Sequence, residues 1–543
     1  MVAVESAPLS RRLAIADQGR KWFGGILRIP ARSESREQGA RSRRSLVHWL
    51  AERPERLIAL GAVLVVVAFQ FWINPSNPPG FIRDEASFSY NAYTISQNLR
   101  DQDGGFMPLY FVSFNDYKSP LFVYLLSAVF RVTGPHAQVA RGVAAACVLG
   151  AVLLVGLLAL RRSRSVPVAI AAVVLAGTTP WLFELGRVAF DTATLPLVVA
   201  ALLLALDWAY RSTRHTLVRA LPVGLALGAL TYSYAAGRLL APLFALALLV
   251  FAGRGRWQWL LATWGVFAAT LLPLAAYWHN HPGALTARYQ ATTFIQDGMS
   301  IGTIVRDAIA NYVHDMNLWH WIVSGDMKPY IHTWGAGQLF GSVVALAVIG
   351  AVVLFARRPV DLWWRYVLVI LVLMPIPAAL TEDRFNALRL AVLPLLIVVL
   401  AIPGLQVLSR AVQGGWLGRA VAVALAVAVG VQFAQFLSVY RDRGGPTRMQ
   451  LFEAGVPGLL ARAFADDRTV YIDYDDRYAL THALWYAVEH GIPRERVSRL
   501  PDGYIPAKGS MVFGRLQECD YVCNELGRSY EYWIALAAGP KPS

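Results

Sequence analysis

Five places along this 543-residue chain set ionisable or aromatic side chains where they could do chemistry. Arg83-Asp84-Glu85 follows the first apolar run. Adjacent carboxylates there could act as a base, or simply open a helix, whose first turn favours acids. Asn115-Asp116-Tyr117-Lys118-Ser119-Pro120 puts a cation just ahead of an apolar stretch. Lysine holds phosphate as a point charge, although a snorkelling, helix-flanking lysine would look the same. Glu184-Leu185-Gly186-Arg187-Val188-Ala189-Phe190-Asp191 ends on an acid at the lip of another apolar run. Such a residue is a functional candidate or an N-cap. Glu382-Asp383-Arg384-Phe385-Asn386-Ala387-Leu388-Arg389 carries an arginine into an apolar run and needs a partner for it. A lipid phosphate or an acid such as Asp84 would serve; Arg141 and Arg238 are similar but less telling. Finally, segment 279–335 holds five of the ten histidines (His279, His281, His314, His320 and His332) with Trp319, Trp321 and Trp334. Aromatic faces can pack on sugars or lipid tails, or form an interfacial belt. His279 with a carboxylate could bind a divalent metal, but no ligand spacing there is diagnostic and no metal ligand is assigned.

The elements that must position these groups are membrane spans. Hydrophobic residues make up 56% and charged residues 16% of the chain, against about 45–50% and 25% in soluble proteins. A disordered chain, a coiled coil and an ordinary cytosolic enzyme are excluded. Eleven spans are expected, near 57–75, 138–160, 166–182, 192–210, 218–234, 237–253, 257–278, 336–356, 364–380, 387–408 and 418–438, each close to the ~20 residues that cross a hydrocarbon core. The fold class is an all-α polytopic membrane protein.

Charge sets the expected orientation. Residues 1–56 hold 12 Lys/Arg and 6 Asp/Glu. Together with every second loop, and counting Asp207 and Asp361, one side carries 25 basic and 8 acidic residues. That side should be cytoplasmic. The net charge of +15 therefore marks topology and anionic lipid contact, with no reason to invoke nucleic acid. Residues 1–56 read as a basic, disordered cytosolic tail rather than a secretory signal; the first span would be an uncleaved anchor. The N-terminus should be cytoplasmic and the C-terminus extracytoplasmic.

Regions 76–137 and 279–335, the turn 183–191 and the tail 439–543 then face outward, and the chemistry with them. Residues 119–133 are apolar but short; counting them as a span would put Arg161, Arg162 and Arg164 outside, so they read as a helix at the membrane surface. Residues 85–100 show helical spacing of Phe88, Ala92, Ile95 and Leu99. The tail, with 13 basic and 14 acidic residues, reads as a small α/β domain: strands at 470–473 and 511–513, a helix at 478–489. Cys519 and Cys523 suit an extracytoplasmic cystine; Cys147 reads as a buried apolar residue.

An acidic pair after the first span, a Lys-Ser-Pro motif before an interfacial apolar helix, and an Arg-x-x-x-Asp at the fourth span occur together over about 57–410. In this order they resemble the GT-C membrane glycosyltransferases of the protein O-mannosyltransferase and aminoarabinose transferase type. The resemblance implies a polyprenyl-phosphate-linked sugar as donor and transfer to an acceptor hydroxyl on the outer face, by inverting single displacement. It assigns Asp84 as base, has Glu85 and Asp191 shape the acceptor or assist, and gives the donor phosphate to Lys118 and Arg389, with Arg384 beside them. The motif departs from the family in Ser119-Pro120, where Pro-Pro is usual, and in Tyr117 before the lysine. The acceptor stays open among protein, lipid and polysaccharide. The rival class is a transporter or flippase for a lipid-linked saccharide; a non-catalytic scaffold is the third. Geometry separates them: transfer requires Asp84, Lys118, Asp191 and Arg389 to converge on one outer cavity.

Overall fold

The computed structural model describes residues 54–72, 76–114, 116–253, 255–356, 359–473, 475–501, 503–515 and 521–539. The expected tail over 1–56 lies almost wholly outside them, as does Cys519. Contacts gather into two units, 1–61 and 62–543. Of the first, only 54–61 are described, as the start of the apolar helix Pro54–Trp72. The second carries all the other elements.

Each expected span falls on helix. Six helices are long and apolar enough to cross a membrane: Ala137–Ser163, Asp191–Arg211, Trp257–Asn280, Leu362–Ala379, Leu393–Gly414 and Trp416–Arg443. The other five expected spans fall on shorter apolar helices, at Ile58–Trp72, Val166–Thr178, Thr216–Thr231, Gly237–Phe251 and Gly341–Ala356. Prolines explain some interruptions. Pro180 restarts the chain as the helix Pro180–Leu185. Pro375 precedes the short turn Ile376–Ala379, since proline gives no N–H to the ladder behind it. The stretch read as interfacial is the 14-residue helix Pro120–Thr133. Helices Gly341–Ala356 and Leu393–Gly414 meet backbone to backbone, Gly350 against Leu400 and Gly404 against Leu346. Such close approach drives helix association where lipid is as apolar as leucine.

The bundle has one markedly basic end. Asp207, fully buried, pairs with Arg161 (2.9 Å), Arg162 (3.0 Å) and Arg211 (2.8 Å), and Arg162 reaches Asp361 at 2.7 Å. Arg141 lies 20 residues before Arg161 on one helix, and Asp191 20 residues before Arg211 on another. At 1.5 Å per residue both offsets are about 30 Å, one hydrocarbon thickness.

At that far end lie the helix Arg83–Asn98 and a hairpin of β1 (Phe111–Ser113) and β2 (Asp116–Lys118), which the sequence pattern does not announce. The C-terminal domain is a five-stranded sheet of order β4-β3-β5-β7-β6. Its strands are β3 (Val470–Ile472), β4 (Val497–Arg499), β5 (Met511–Arg515), β6 (Val522–Ser529) and β7 (Tyr532–Gly539). β3 runs parallel to β4 and β5, and β7 antiparallel to β5 and β6. The helix Arg477–Glu489 matches the expected one. Cys523 is disulfide-bonded and Cys147 is free and buried.

Candidate functional site

The site is built from the first turn of helix Arg83–Asn98. Ile82 is extended (φ −64°, ψ 151°) and Glu85 reaches back to its N–H at 3.3 Å. Glu85 is fully buried. It also accepts from Ala189 N (2.9 Å), Arg141 Nε (2.9 Å) and Arg141 Nη2 (2.7 Å). Arg141 spends its remaining donors on Pro78 O and Gly80 O. Both oxygens of Glu85 are thus committed to holding the helix start against the turn at Ala189.

Asp84, the next residue round the helix, turns about 100° away and keeps 29% of its side chain exposed. Its Oδ1 accepts from Lys118 Nζ at 2.8 Å. The hairpin delivers that lysine: Lys118 ends β2, and Pro120 starts the next helix at its first position, where a proline ring is preorganised. Lys118 also reaches Asp116 Oδ2 at 3.2 Å. Ser119 N donates to Asp191 Oδ2 at 3.4 Å, so one short loop joins Asp84, Asp116, Lys118 and Asp191. Burial alone would raise the Asp84 carboxyl; the cations of Lys118, Arg83 and Arg288 outweigh it and hold the group below the usual carboxylate range. Burial likewise opposes charge on Lys118, yet Asp84 and Asp116 keep it firmly protonated.

Asp116 links this cluster to a cavity. Its Oδ2 pairs with Arg288 Nη1 at 3.3 Å. Arg288 lines a cavity of about 420 Å³ with Arg238, Arg389, Tyr234 and Thr381, against an apolar wall that includes Leu239 and Leu380. Arg389 is buried, donates to Thr381 Oγ1 at 2.7 Å and meets Asp383 Oδ2 at 3.3 Å. Its partner is therefore Asp383, not Asp84. Arg238 donates to Leu285 O (2.9 Å) and Tyr117 O (3.1 Å) and covers the Tyr110 ring. Among the described residues no carboxylate pairs with Arg238, so the cavity holds a cation short of an anion.

The segment carrying Arg389 is braced from outside. Asn311 Nδ2 donates to Ala379 O and Thr381 O, Asp315 accepts Phe385 N at 2.8 Å, and Asp326 accepts Ala387 N at 2.7 Å. Arg384 is exposed and lies in the field of His314 rather than in the cavity lining. Lys118 is not in the lining either; it connects to it through Asp116 and Arg288. Among the described residues no three His, Cys, Asp or Glu side chains stand together as a metal site. Chemically, the arrangement offers a partly exposed carboxylate fixed by a lysine, next to an arginine-lined cavity fit for an anion with an apolar attachment.

No family model and no curated protein sequence matches the chain. Solved structures do. ArnT from Cupriavidus metallidurans bound to undecaprenyl phosphate superposes at TM-score 0.53 and 12% identity, over 89% of this chain and 99% of that one. The same protein in the apo state gives 0.54 and 12%, over 92% and 100%. An oligosaccharyltransferase from Archaeoglobus fulgidus, at 14% identity over 84% of this chain and 68% of its own, scores 0.48, too loose to argue from. The chain has the GT-C fold.

Within this GT-C fold, Asp84, Lys118 and Asp191 converge, and Arg389 joins them through the Asp116–Arg288 pair. Sequence reasoning passed over Arg288, Tyr234 and Tyr330. Tyr234 stands in the field of Arg288, Arg389 and Asp191, and Tyr330 in that of Asp84, Arg83 and Arg288. Arg288 carries a signal: it is an arginine in a segment expected to face outward, the same property that singles out Arg389. The tyrosines carry none, being two among 22.

Proposed function

We propose that the chain is an integral membrane glycosyltransferase that moves a sugar from a polyprenyl-phosphate donor to an acceptor hydroxyl on the extracytoplasmic face. The observation that carries this reading is the direct link, through Lys118, Asp116 and Arg288, between the Asp84 carboxylate and a cavity holding an arginine without a carboxylate partner. The GT-C fold supports it, and so does the undecaprenyl phosphate bound to one structure of similar fold. The positive-inside rule supports the orientation: the Asp207 end is arginine-rich, which favours the cytoplasm.

In this mechanism the donor tail stays in lipid, and its phosphate enters the cavity among Arg238, Arg288 and Arg389. Asp84 takes the proton of the acceptor hydroxyl as its oxygen attacks the anomeric carbon. The bond to phosphate oxygen breaks, and the fixed cations stabilise the charge that gathers there. A single displacement inverts the anomeric centre. Asp191 helps position the acceptor through the Ser119 loop. Glu85 assists by holding the helix, and Arg384 takes no direct part.

The test is transfer in sealed proteoliposomes from labelled polyprenyl-phosphate sugars to a panel of protein, lipid and polysaccharide acceptors. Release of polyprenyl phosphate with label on an acceptor is expected. Movement of intact donor across the bilayer without release would replace this reading by the flippase.

A further inference from the structure

The C-terminal domain reaches the first turn of the catalytic helix through a carboxylate. Glu453, buried, accepts the backbone N–H of Arg83 at 2.8 Å and Arg83 Nη1 at 3.2 Å. The same carboxylate is held by His482 Nε2 at 2.7 Å, from helix Arg477–Glu489, and by Tyr532 OH at 2.9 Å, from β7. Tyr478 lies under the Arg83 guanidinium at 4.6 Å and under Arg515 at 4.5 Å. The first N–H groups of a helix have no partner within it, and the residue before this helix, Ile82, has no side-chain oxygen to supply one. The cap comes instead from a residue 370 positions away, set by two further elements of the C-terminal domain.

We propose that Glu453 is a positioning residue for Asp84: it caps the helix that carries Asp84 and cancels the Arg83 charge beside it. The proposal rests on the reading of Asp84 as the base. A buried charge pair that merely fastened two domains would need neither consequence. The electrostatic consequence follows from what faces Asp84. Lys118 and Asp116 approach from β2, Arg288 from the outer segment, Asp191 from the turn before its span, and Tyr330 from the segment after helix Ile301–Asp315. Arg83 is the one cation among them on the helix itself, and Glu453 sits against it. With Glu453 neutral, Arg83 acts on Asp84 unopposed and weakens it as a base. With Arg83 neutral, Asp84 is released upward.

The experiment compares full-length Glu453→Gln, Arg83→Gln and the double variant in nanodiscs. It reads kcat/KM for labelled polyprenyl-phosphate sugar against pH, and hydrogen exchange of the 83–87 amides. The acid limb should move down by on the order of 0.5 pH unit in Glu453→Gln, move up in Arg83→Gln, and return near wild type in the double variant. Exchange at 83–87 should rise about tenfold in Glu453→Gln. Loss of activity with the limb unmoved in both single variants would overturn the proposal and leave Glu453 a domain fastener. Absence of transfer by wild type would instead defeat the reading of function, and the exchange data would still decide the cap. If Glu453→Gln does not fold, the Arg83→Gln shift decides the electrostatics, and a limb that fails to rise overturns it.

Discussion

Replacing Asp84 by Asn tests the catalytic assignment most directly, because the geometry separates its two consequences. Asn keeps the shape of the side chain but cannot accept a proton. General-base assistance is worth about 10²–10⁴ in rate, so kcat should fall by that factor. The second consequence concerns Lys118, whose partner at 2.8 Å becomes a neutral amide oxygen while Asp116 at 3.2 Å keeps its charge. The lysine therefore stays charged and in place, and the arginine cavity beyond Asp116 is untouched. The KM for donor should change less than about threefold, as expected when only an interaction of the transition state is removed. The assay is steady-state transfer in nanodiscs with the donor varied at saturating acceptor, with insertion checked by protease protection. A kcat within threefold of wild type would refute the base assignment and move attention to Asp191. A large rise in donor KM at constant kcat would show that Asp84 matters through Lys118 instead.

Three further outcomes are expected. Arg288→Ala and Arg389→Ala should each raise the donor KM about 10–100-fold, the worth of one hydrogen bond to a charged group, with a smaller effect from Arg384→Ala; equal effects of all three would discard the cavity as the phosphate site. Arg141→Met leaves Glu85 buried and unpaired, a cost of about 3–5 kcal/mol, and should shorten the thermal half-life in detergent, whereas Arg141→Met with Glu85→Met should recover most of it. Burial pushes the Asp315 carboxyl up to about 7, against the pull of Phe385 N–H and Arg389. A raised folded pKa contributes stability below about pH 4 that is lost as pH rises through about 7. Asp315→Asn should therefore lose less stability than wild type between about pH 5 and 8; parallel half-life curves for the two proteins would argue against a buried, protonated Asp315.

Much of the architecture was legible because a bilayer imposes it locally. A run of ~20 apolar residues reads as a span, since no water satisfies backbone groups there. The eleven expected spans fall on six helices long and apolar enough to cross a membrane and on five shorter apolar ones. The residues that the fold brings together were visible where they interrupt apolar runs, as at Asp84, Lys118 and Asp191. The hairpin Phe111–Lys118 was not, because three-residue strands with no clean alternation leave no period to read. Strand β4 escaped for a related reason, since it pairs with β3 some 27 residues earlier, and the β6–β7 hairpin shows no clean polar–apolar alternation to read.

By itself, the sequence determined that the chain is membrane-embedded, where its apolar helices run, and which acids and cations stand at helix ends, because those properties depend on composition over short windows. Only the tertiary structure decided how the partners divide. Adjacent Asp84 and Glu85 take opposite tasks because a helix turns them to different neighbours, Lys118 for one and Arg141 for the other. Arg389 finds Asp383 rather than Asp84, Arg384 points to solvent, and Glu453 reaches Arg83 across most of the chain. Hydrogen bonds need contact at about 3 Å and charges are screened beyond about 10 Å, so a residue's role follows from what folding sets beside it.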